Sequence, residues 1–123
     1  MQSSRLQFSK LSQTNANDNY LNWFEDQDIK NYIKNYKKKI TINNLKNYII
    51  LNNNKKDTLL FGIFYKKNKK HIGNIKFDNI NVNENRVTMG VLIGDKNYRG
   101  IGVFSETIEY FSNYFYINYK ITN

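Results

Sequence analysis

The sequence predicts an α/β fold of the α+β type, on three observations. Apolar residues recur at three- and four-residue intervals between residues 19 and 51. Three short β-prone runs separated by polar turns fill residues 58–94, and a glycine-bearing turn at 95–102 opens another helical pattern. At 123 residues the chain has the length of one domain, and its 40% hydrophobic and 15% aromatic content can furnish a core. A mean hydropathy of -0.71 and the lack of a long apolar run exclude a protein built on membrane-spanning helices.

Residues 4–11, SRLQFSKL, alternate with Leu6, Phe8 and Leu11 as the apolar members and read as an opening strand. Asn17 or Asp18 caps a helix from about Asn19. Its stripe of Leu21, Phe24, Tyr32, Ile33 and Tyr36 is interrupted at Glu25–Asp28, so a bent helix or two short ones are expected. Thr41 is the next start signal, ahead of Ile42, Leu45, Tyr48, Ile49 and Leu51, and the polar run NNNKKD at 52–57 stops that helix.

TLLFGIFY at 58–65 and HIGNIKFDNI at 71–80, joined by KKNKK, form a hairpin. After NVNEN at 81–85, RVTMGVLIG at 86–94 completes a three-strand antiparallel meander. As the most apolar of the three, this last strand is expected at the centre of the sheet. VFSETIEYFSNYF at 103–115 then turns Val103, Ile108, Phe111 and Phe115 inward, and INYKIT at 117–122 reads as the start of a further strand.

Composition removes several function classes. Without cysteine, disulfides and thiolate chemistry are excluded, and with His71 as the sole histidine no metal site is expected. MQSSRLQFSK lacks the apolar stretch of a secretory signal, so a cytoplasmic location is expected, with no membrane partner. The absence of proline and the 22 asparagines reflect codon bias more than function.

The net charge of +9 favours polyanions, but 16 of the 19 basic residues are lysines, and those that gather in KKK at 37–39 and KKNKK at 66–70 read as solvated turns. The three arginines, Arg5, Arg86 and Arg99, are too dispersed for a nucleic-acid surface, which would interleave arginine and aromatics on one face.

The stretch that carries chemistry is strand, turn and helix: GVLIGDKNYRGIGVFSETIEYF, residues 90–111. Gly100 and Gly102 let a ligand approach the backbone closely, and the helix that follows leaves its first N–H groups unpaired. Such an end binds phosphate, and a guanidinium at Arg99 adds charge-assisted hydrogen bonds. Turn geometry alone accounts for the two glycines equally well. The pattern is neither G-x-G-x-x-G nor a P-loop, so dinucleotide binding and nucleotide hydrolysis lose support.

The order of elements, with YLNWFEDQDIKNYI at 20–33, HIGNIKFDNI at 71–80 and MGVLIGDKNYRGIGVFSETI at 89–108, resembles the GNAT acetyltransferase superfamily. The likeness is to the branch of sugar-nucleotide and ribosomal-protein N-acetyltransferases. That branch's turn carries Arg or Gln, then Gly three residues on, then Gly or Ala two further, and Arg99, Gly102 and Phe104 fall on those positions.

The resemblance implies acetyl-CoA as co-substrate, held by Leu92, Ile93 and Gly94 on the strand and by Arg99, Gly100, Ile101, Gly102, Val103 and Phe104 in the turn. Backbone N–H groups of 100–104 would hold the pyrophosphate, and strand 86–94 would pair with the pantetheine arm. It further implies a small-molecule primary amine as acceptor, a nucleotide-linked amino sugar among the candidates. The amine would enter from the side of the N-terminal helices and attack the thioester directly, with a strand N–H near Leu92 or Ile93 facing the oxyanion.

The chain departs from the family pattern in three ways. Phe104 is bulky where Gly or Ala is expected, Thr88 stands where relatives often carry a carboxylate, and relatives continue for several more strands and a helix. The expectation is therefore a single GNAT-like domain over 1–123 with its C-terminal portion missing.

Individual residues carry paired readings. Glu84 is the candidate base, acting through water, against a solvated turn carboxylate. Trp23 lines an acceptor pocket or belongs to the core. Asn74 and Asp78 are candidates to reach the acceptor, Tyr98 packs beside the cofactor or within its turn, and His71 is expected at the surface. Two other classes stay open: an inactive remnant or partner-binding module, and a small basic nucleic-acid binder. An exposed sheet edge would also favour a homodimer.

Overall fold

The computed structural model describes residues 1–32 and 39–122. Its elements are β1 (Leu6–Lys10), α1 (Asp18–Asn22), a 3-10 turn at Trp23–Glu25, α2 (Gln27–Tyr32), α3 (Ile42–Asn53), β2 (Leu59–Tyr65), β3 (Lys70–Asn81), β4 (Arg86–Ile93) and α4 (Val103–Tyr119). Of the expected helical stripe, Ile33 and Tyr36, with Lys37 and Lys38 of the basic run, lie outside the described residues. No described helix is long and apolar enough to cross a membrane.

Local chemistry sets the helix starts. The Asn17 side chain accepts from the Tyr20 N–H at 3.2 Å. Thr41 and Asn44 cap each other reciprocally, at 3.2 and 2.9 Å, which satisfies two of the N–H groups that α3 would otherwise orphan. The break foreseen at Glu25–Asp28 falls at Asp26, whose backbone turns extended at φ -74, ψ 127 and whose carboxylate accepts from the Asp28 N–H at 2.9 Å. On α3, Leu45 and Ile49 are buried as expected, but Leu51 is exposed. Asn52 takes the inner position, donating to the Tyr48 carbonyl at 2.8 Å.

The sheet is antiparallel throughout, in the order β1-β2-β3-β4. β4 is therefore an edge strand and not the central one. β1, contributed from the start of the chain, takes the far flank and leaves β2 and β3 inside. The apolar content of β4 reflects one packed face: Val87, Met89, Val91 and Ile93 pack with the residues of α4, whereas Thr88 and Gly90 do not join that cluster. The outer edge of β4 has no strand partner among the described residues.

Helices cover both faces. On one, Val103, Phe111 and Phe115 of α4 are buried against Phe8, Phe61, Ile75 and Phe77. The Phe111 ring lies 4.8 Å from Phe8 and 4.9 Å from Phe77, centroid to centroid. Each such side chain contributes about 1.5–3 kcal/mol by leaving water. The inward position expected for Ile108 belongs to Thr107, whose hydroxyl donates to the Val103 carbonyl at 2.9 Å and needs no other partner. On the opposite face, Tyr20, Trp23, Phe24, Ile29, Leu45 and Ile49 from α1–α3 and the turn between them pack with Leu60.

The strand expected at 117–122 does not form there. α4 runs on to Tyr119 because Tyr119 keeps the stripe in place, stacked 5.4 Å from Phe115, and Lys120 then turns left-handed at φ 56. Ile121 is buried, and Asn85 clasps Thr122 through two hydrogen bonds of 3.0 Å.

Candidate functional site

The turn between β4 and α4 is built on two left-handed glycines, Gly100 at φ 76 and Gly102 at φ 85. A side chain at either position is strained. Gly102 is the N-cap of α4 and offers no capping side chain, so the first N–H groups of the helix have no intrahelical partner. They open on a cleft of about 620 Å³ lined by Asp28, Ile93, Arg99, Gly102, Phe104 and Ser105 among others, with the exposed Asp28 carboxylate 3.7 Å from Arg99 Nη1. Phe104 is 54% exposed. It stands at the rim of the cleft and neither fills it nor turns into the core. Ile101 also points outward, while Val103 is fully buried.

Arg99 is not a free guanidinium awaiting an anion. Its Nε donates to the Ile93 carbonyl at 2.9 Å, Nη2 to the Gly94 carbonyl at 3.2 Å, and Nη1 to Asp26 Oδ2 at 2.8 Å. It therefore pins the end of β4 to the break between α1 and α2. The Asp28 backbone N–H, followed by Arg99, holds the Asp26 carboxyl below its ordinary range.

A second clamp escapes sequence reasoning. Glu106, in the first turn of α4, accepts from the Ser3 hydroxyl at 2.6 Å, the Arg5 N–H at 2.8 Å and the Arg5 Nε at 2.7 Å. Arg5 Nη1 donates to the Ile101 carbonyl at 2.8 Å. Burial pushes Glu106 up, but these donors outweigh it and keep the carboxyl ionised. An acidic residue in a first helical turn was the only available signal, since its partners lie about a hundred residues earlier.

A second cavity, of about 440 Å³, opens on the α3 side of β4 and is lined by Tyr20, Phe24, Tyr48, Asn74, Lys76 and Gly90 among others. Val91 and Leu92 line both cavities. Asn74 thus reaches a pocket wall, whereas Asp78 does not. Asp78 accepts from Thr58 at 3.1 Å and pairs with Lys76 at 3.3 Å. Tyr98 lines the first cleft and accepts from Asn68 at 2.7 Å.

His71 is buried, contrary to the expectation of a surface position. The register of β2 and β3 shifts between Ile63 and Phe64, and that irregularity moves His71 onto the face that carries Asn74. There its Nε2 meets Asn74 Oδ1 at 2.7 Å, with the Trp23 ring 4.7 Å and the Phe64 ring 4.9 Å away. Burial lowers its pKa, opposed in part by Asn74.

Trp23 is a core residue. It lines neither of these two cavities, and its indole packs so tightly over Gly94 that a methyl group there would overlap it. Glu84 stays in the β3–β4 turn, paired with exposed Arg86. The strand from Arg86 to Leu92 alone spans about 20 Å at roughly 3.3 Å per residue, which puts Glu84 too far away to serve as a base at Leu92.

A search of curated proteins returned no match. Solved structures resemble the fold. Ribosomal-protein-S5-alanine acetyltransferase from Vibrio fischeri matches with TM-score 0.71 at 14% identity, over 98% of this chain and 69% of that one. The dodecameric spermidine N-acetyltransferase from Vibrio cholerae gives 0.71 at 16%, over 97% and 67%. Microcin C7 self-immunity acetyltransferase, solved with acetyl-CoA and AMP, gives 0.75 at 20%, over 92% and 63%. This chain thus spans about two thirds of each.

The model of the acetyltransferase (GNAT) domain matches residues 5–122, nearly the whole sheet-and-helix framework described above. With the strand, glycine turn and helix in that arrangement, the chain belongs to the GNAT acetyltransferase family.

Proposed function

We propose that the chain binds acetyl-CoA in the cleft at the start of α4 and transfers the acetyl group to a primary amine held in the cavity on the α3 side of β4. The observation that carries this reading is the sharing of Val91 and Leu92 by the two cavities, which brings a donor site and an acceptor site together on one strand. The cleft suits a pyrophosphate: the backbone is left-handed at both glycines, and a Cβ at Gly100 would meet nothing within 4 Å. The helix end favours an anion by roughly 0.3–1 kcal/mol.

Acetyl-CoA supplies an activated thioester: the amine nitrogen bonds to its carbonyl carbon, the C–S bond breaks, and the thiol leaves with the proton the amine gives up. In this reading Leu92, Ile93 and Gly94 flank the acyl group and the backbone of the 100–104 turn, braced by Arg99, holds the phosphates. A strand N–H near Leu92 or Ile93 faces the developing oxyanion. No carboxylate or histidine among the described residues lines the acceptor cavity, so in this reading solvent relays the proton from the amine to the leaving thiolate without a side-chain base. The local sequence resemblance suggests a nucleotide-linked amino sugar, but the walls of the cavity are largely apolar, with Lys76 the only charged side chain among the described lining residues, and they favour an amine on a less polar body.

Calorimetric titration with CoA tests the donor site. Micromolar binding is expected, and Phe104→Glu, an exposed change that leaves the core intact, should weaken it at least about tenfold by placing a carboxylate at the phosphate end of the helix. No heat at millimolar CoA, or equal affinity in Phe104→Glu, refutes the reading.

A further inference from the structure

We propose that the cavity over Gly90 selects a monoamine carried on an apolar or aromatic body bearing one hydrogen-bond acceptor, and rejects polyamines. The proposal rests on the acetyl-transfer reading and specifies its acceptor. The cavity floor is made by two cross-strand pairs, Lys76 opposite Gly90 and Asn74 opposite Leu92. A Cβ on Gly90 would meet nothing within 4 Å, so the absent side chain leaves room above the strand. Phe24, Leu45 and Leu60 supply apolar walls, and the volume of about 440 Å³ suits a small ligand.

The charge in this cavity has the wrong sign for a polycation. Lys76 is the only charged side chain among the described lining residues, and the nearby carboxylate of Asp78 already pairs with it at 3.3 Å. The Lys76 ammonium also lies 5.6 Å from the Tyr48 ring centre. A polyamine would bring further ammonium groups into apolar surroundings with no carboxylate to meet them, which is strongly unfavourable. A single amine that enters neutral and keeps an apolar body against Phe24, Leu45 and Leu60 meets no such penalty.

Tyr20 supplies the polar contact. Its oxygen accepts from Asn74 Nδ2 at 2.9 Å, and Asn74 Oδ1 is occupied by His71 at 2.7 Å. With both neighbours fixed, the Tyr20 hydroxyl proton has no partner among the described residues. Burial holds its pKa far above the usual tyrosine range, so the group remains a donor. Buried donors seek a partner, and a carbonyl or ether oxygen on the acceptor body satisfies this one.

The test compares acetylation of 2-phenylethylamine, 2-(4-methoxyphenyl)ethylamine, spermidine and UDP-glucosamine, measured as thiol release from acetyl-CoA. The arylalkylamines are expected to exceed the other two by at least about tenfold in kcat/KM. Gly90→Val places a β-branched residue on a strand at a position whose Cβ site is open. It should cut arylalkylamine kcat/KM by about twentyfold or more while acetyl-CoA affinity, titrated separately, stays within about threefold. Tyr20→Phe should lower kcat/KM for the methoxy compound about tenfold and for the phenyl compound less than about threefold.

Preference for spermidine or UDP-glucosamine, or arylalkylamine turnover unaltered in Gly90→Val, overturns the proposal. Failure to bind acetyl-CoA overturns the acetyl-transfer reading instead. The pocket is then decided without it, by titrating 2-phenylethylamine against the emission of Trp23, the sole tryptophan, whose ring lies 4.6 Å from Tyr20. A response lost in Gly90→Val supports the selection, and no response in the unaltered protein overturns it.

Discussion

Replacing Arg99 by Ala distinguishes a structural pin from a phosphate ligand. The guanidinium donates to two backbone carbonyls, of Ile93 and Gly94, and to Asp26, and its side chain is 29% exposed. Hydrogen bonds from a charged donor contribute about 1.5–3 kcal/mol each when buried, and the lower end applies because water can replace part of the loss. The ion pair with Asp26 adds at most about 1 kcal/mol at this exposure. The expected cost is about 3 kcal/mol. At roughly 4 °C per kcal/mol for a domain of this size, Tm should fall by about 12 °C. Thermal and urea unfolding followed by circular dichroism measure it, with CoA titration in parallel. If Arg99→Ala keeps Tm within about 2 °C while CoA affinity drops more than about tenfold, the guanidinium contacts phosphate and the pinning argument fails.

Two further predictions follow from packing and titration. Gly94→Ala would overlap the Trp23 indole, which is hemmed in by Tyr20 at 4.6 Å and His71 at 4.7 Å, so a loss of about 2–3 kcal/mol is expected in urea unfolding. A loss under about 1 kcal/mol would mean that Trp23 can move aside, and its emission spectrum would then shift. His71 has a folded-state pKa below its unfolded value, so the unfolded chain takes up the extra proton and stability falls as pH drops below about 6.5. Asp26 and Glu106, whose carboxyls are also held low, lose their contribution only at more acidic pH. Wild type should therefore lose Tm between pH 7 and pH 5 more steeply than His71→Gln, and equal slopes in thermal melts would refute this.

What could be read from the sequence was what local chemistry decides. Thr41 announces α3 because a hydroxyl three residues ahead of Asn44 satisfies an orphan N–H, and Asp26 marks the break because its carboxylate caps the next turn. The turn around Gly100 and Gly102 was legible because only glycine adopts its backbone freely. Choices made between distant segments were not legible. Apolar content placed β4 at the centre, but the position of β1 depends on pairing with residues more than fifty places away. His71 was expected at the surface because it opens a strand beside KKNKK, and the register shift that turns it inward cannot be seen in the sequence. Two donors of Arg99 face carbonyls and the third faces Asp26, partners that only the folded turn brings round, so the sequence shows a basic residue in a glycine turn but not its engagement with its own backbone.

The edge position of β4 links these errors to the site. A central β4 would have both flanks bonded to neighbouring strands, leaving no backbone for a ligand to pair with. At the edge, one flank is bonded to β3 and the other is open among the described residues, while helices cover both faces. Alternation then divides the strand between two environments. Val91 and Ile93 continue the α4 core toward the glycine turn, and Gly90 and Leu92 face the cavity on the α3 side, which Val91 also borders. The Arg99 pin fixes the carbonyls of Ile93 and Gly94, where the strand passes into the turn. Tyr20, held by Asn74, fixes the polar wall two strands deep. The Arg99 pin lies within two residues of Leu92, so in the proposed reading disturbing it should alter the alignment of donor and acceptor before it alters the affinity for either one alone. Alignment of reacting groups is where small displacements cost most in rate.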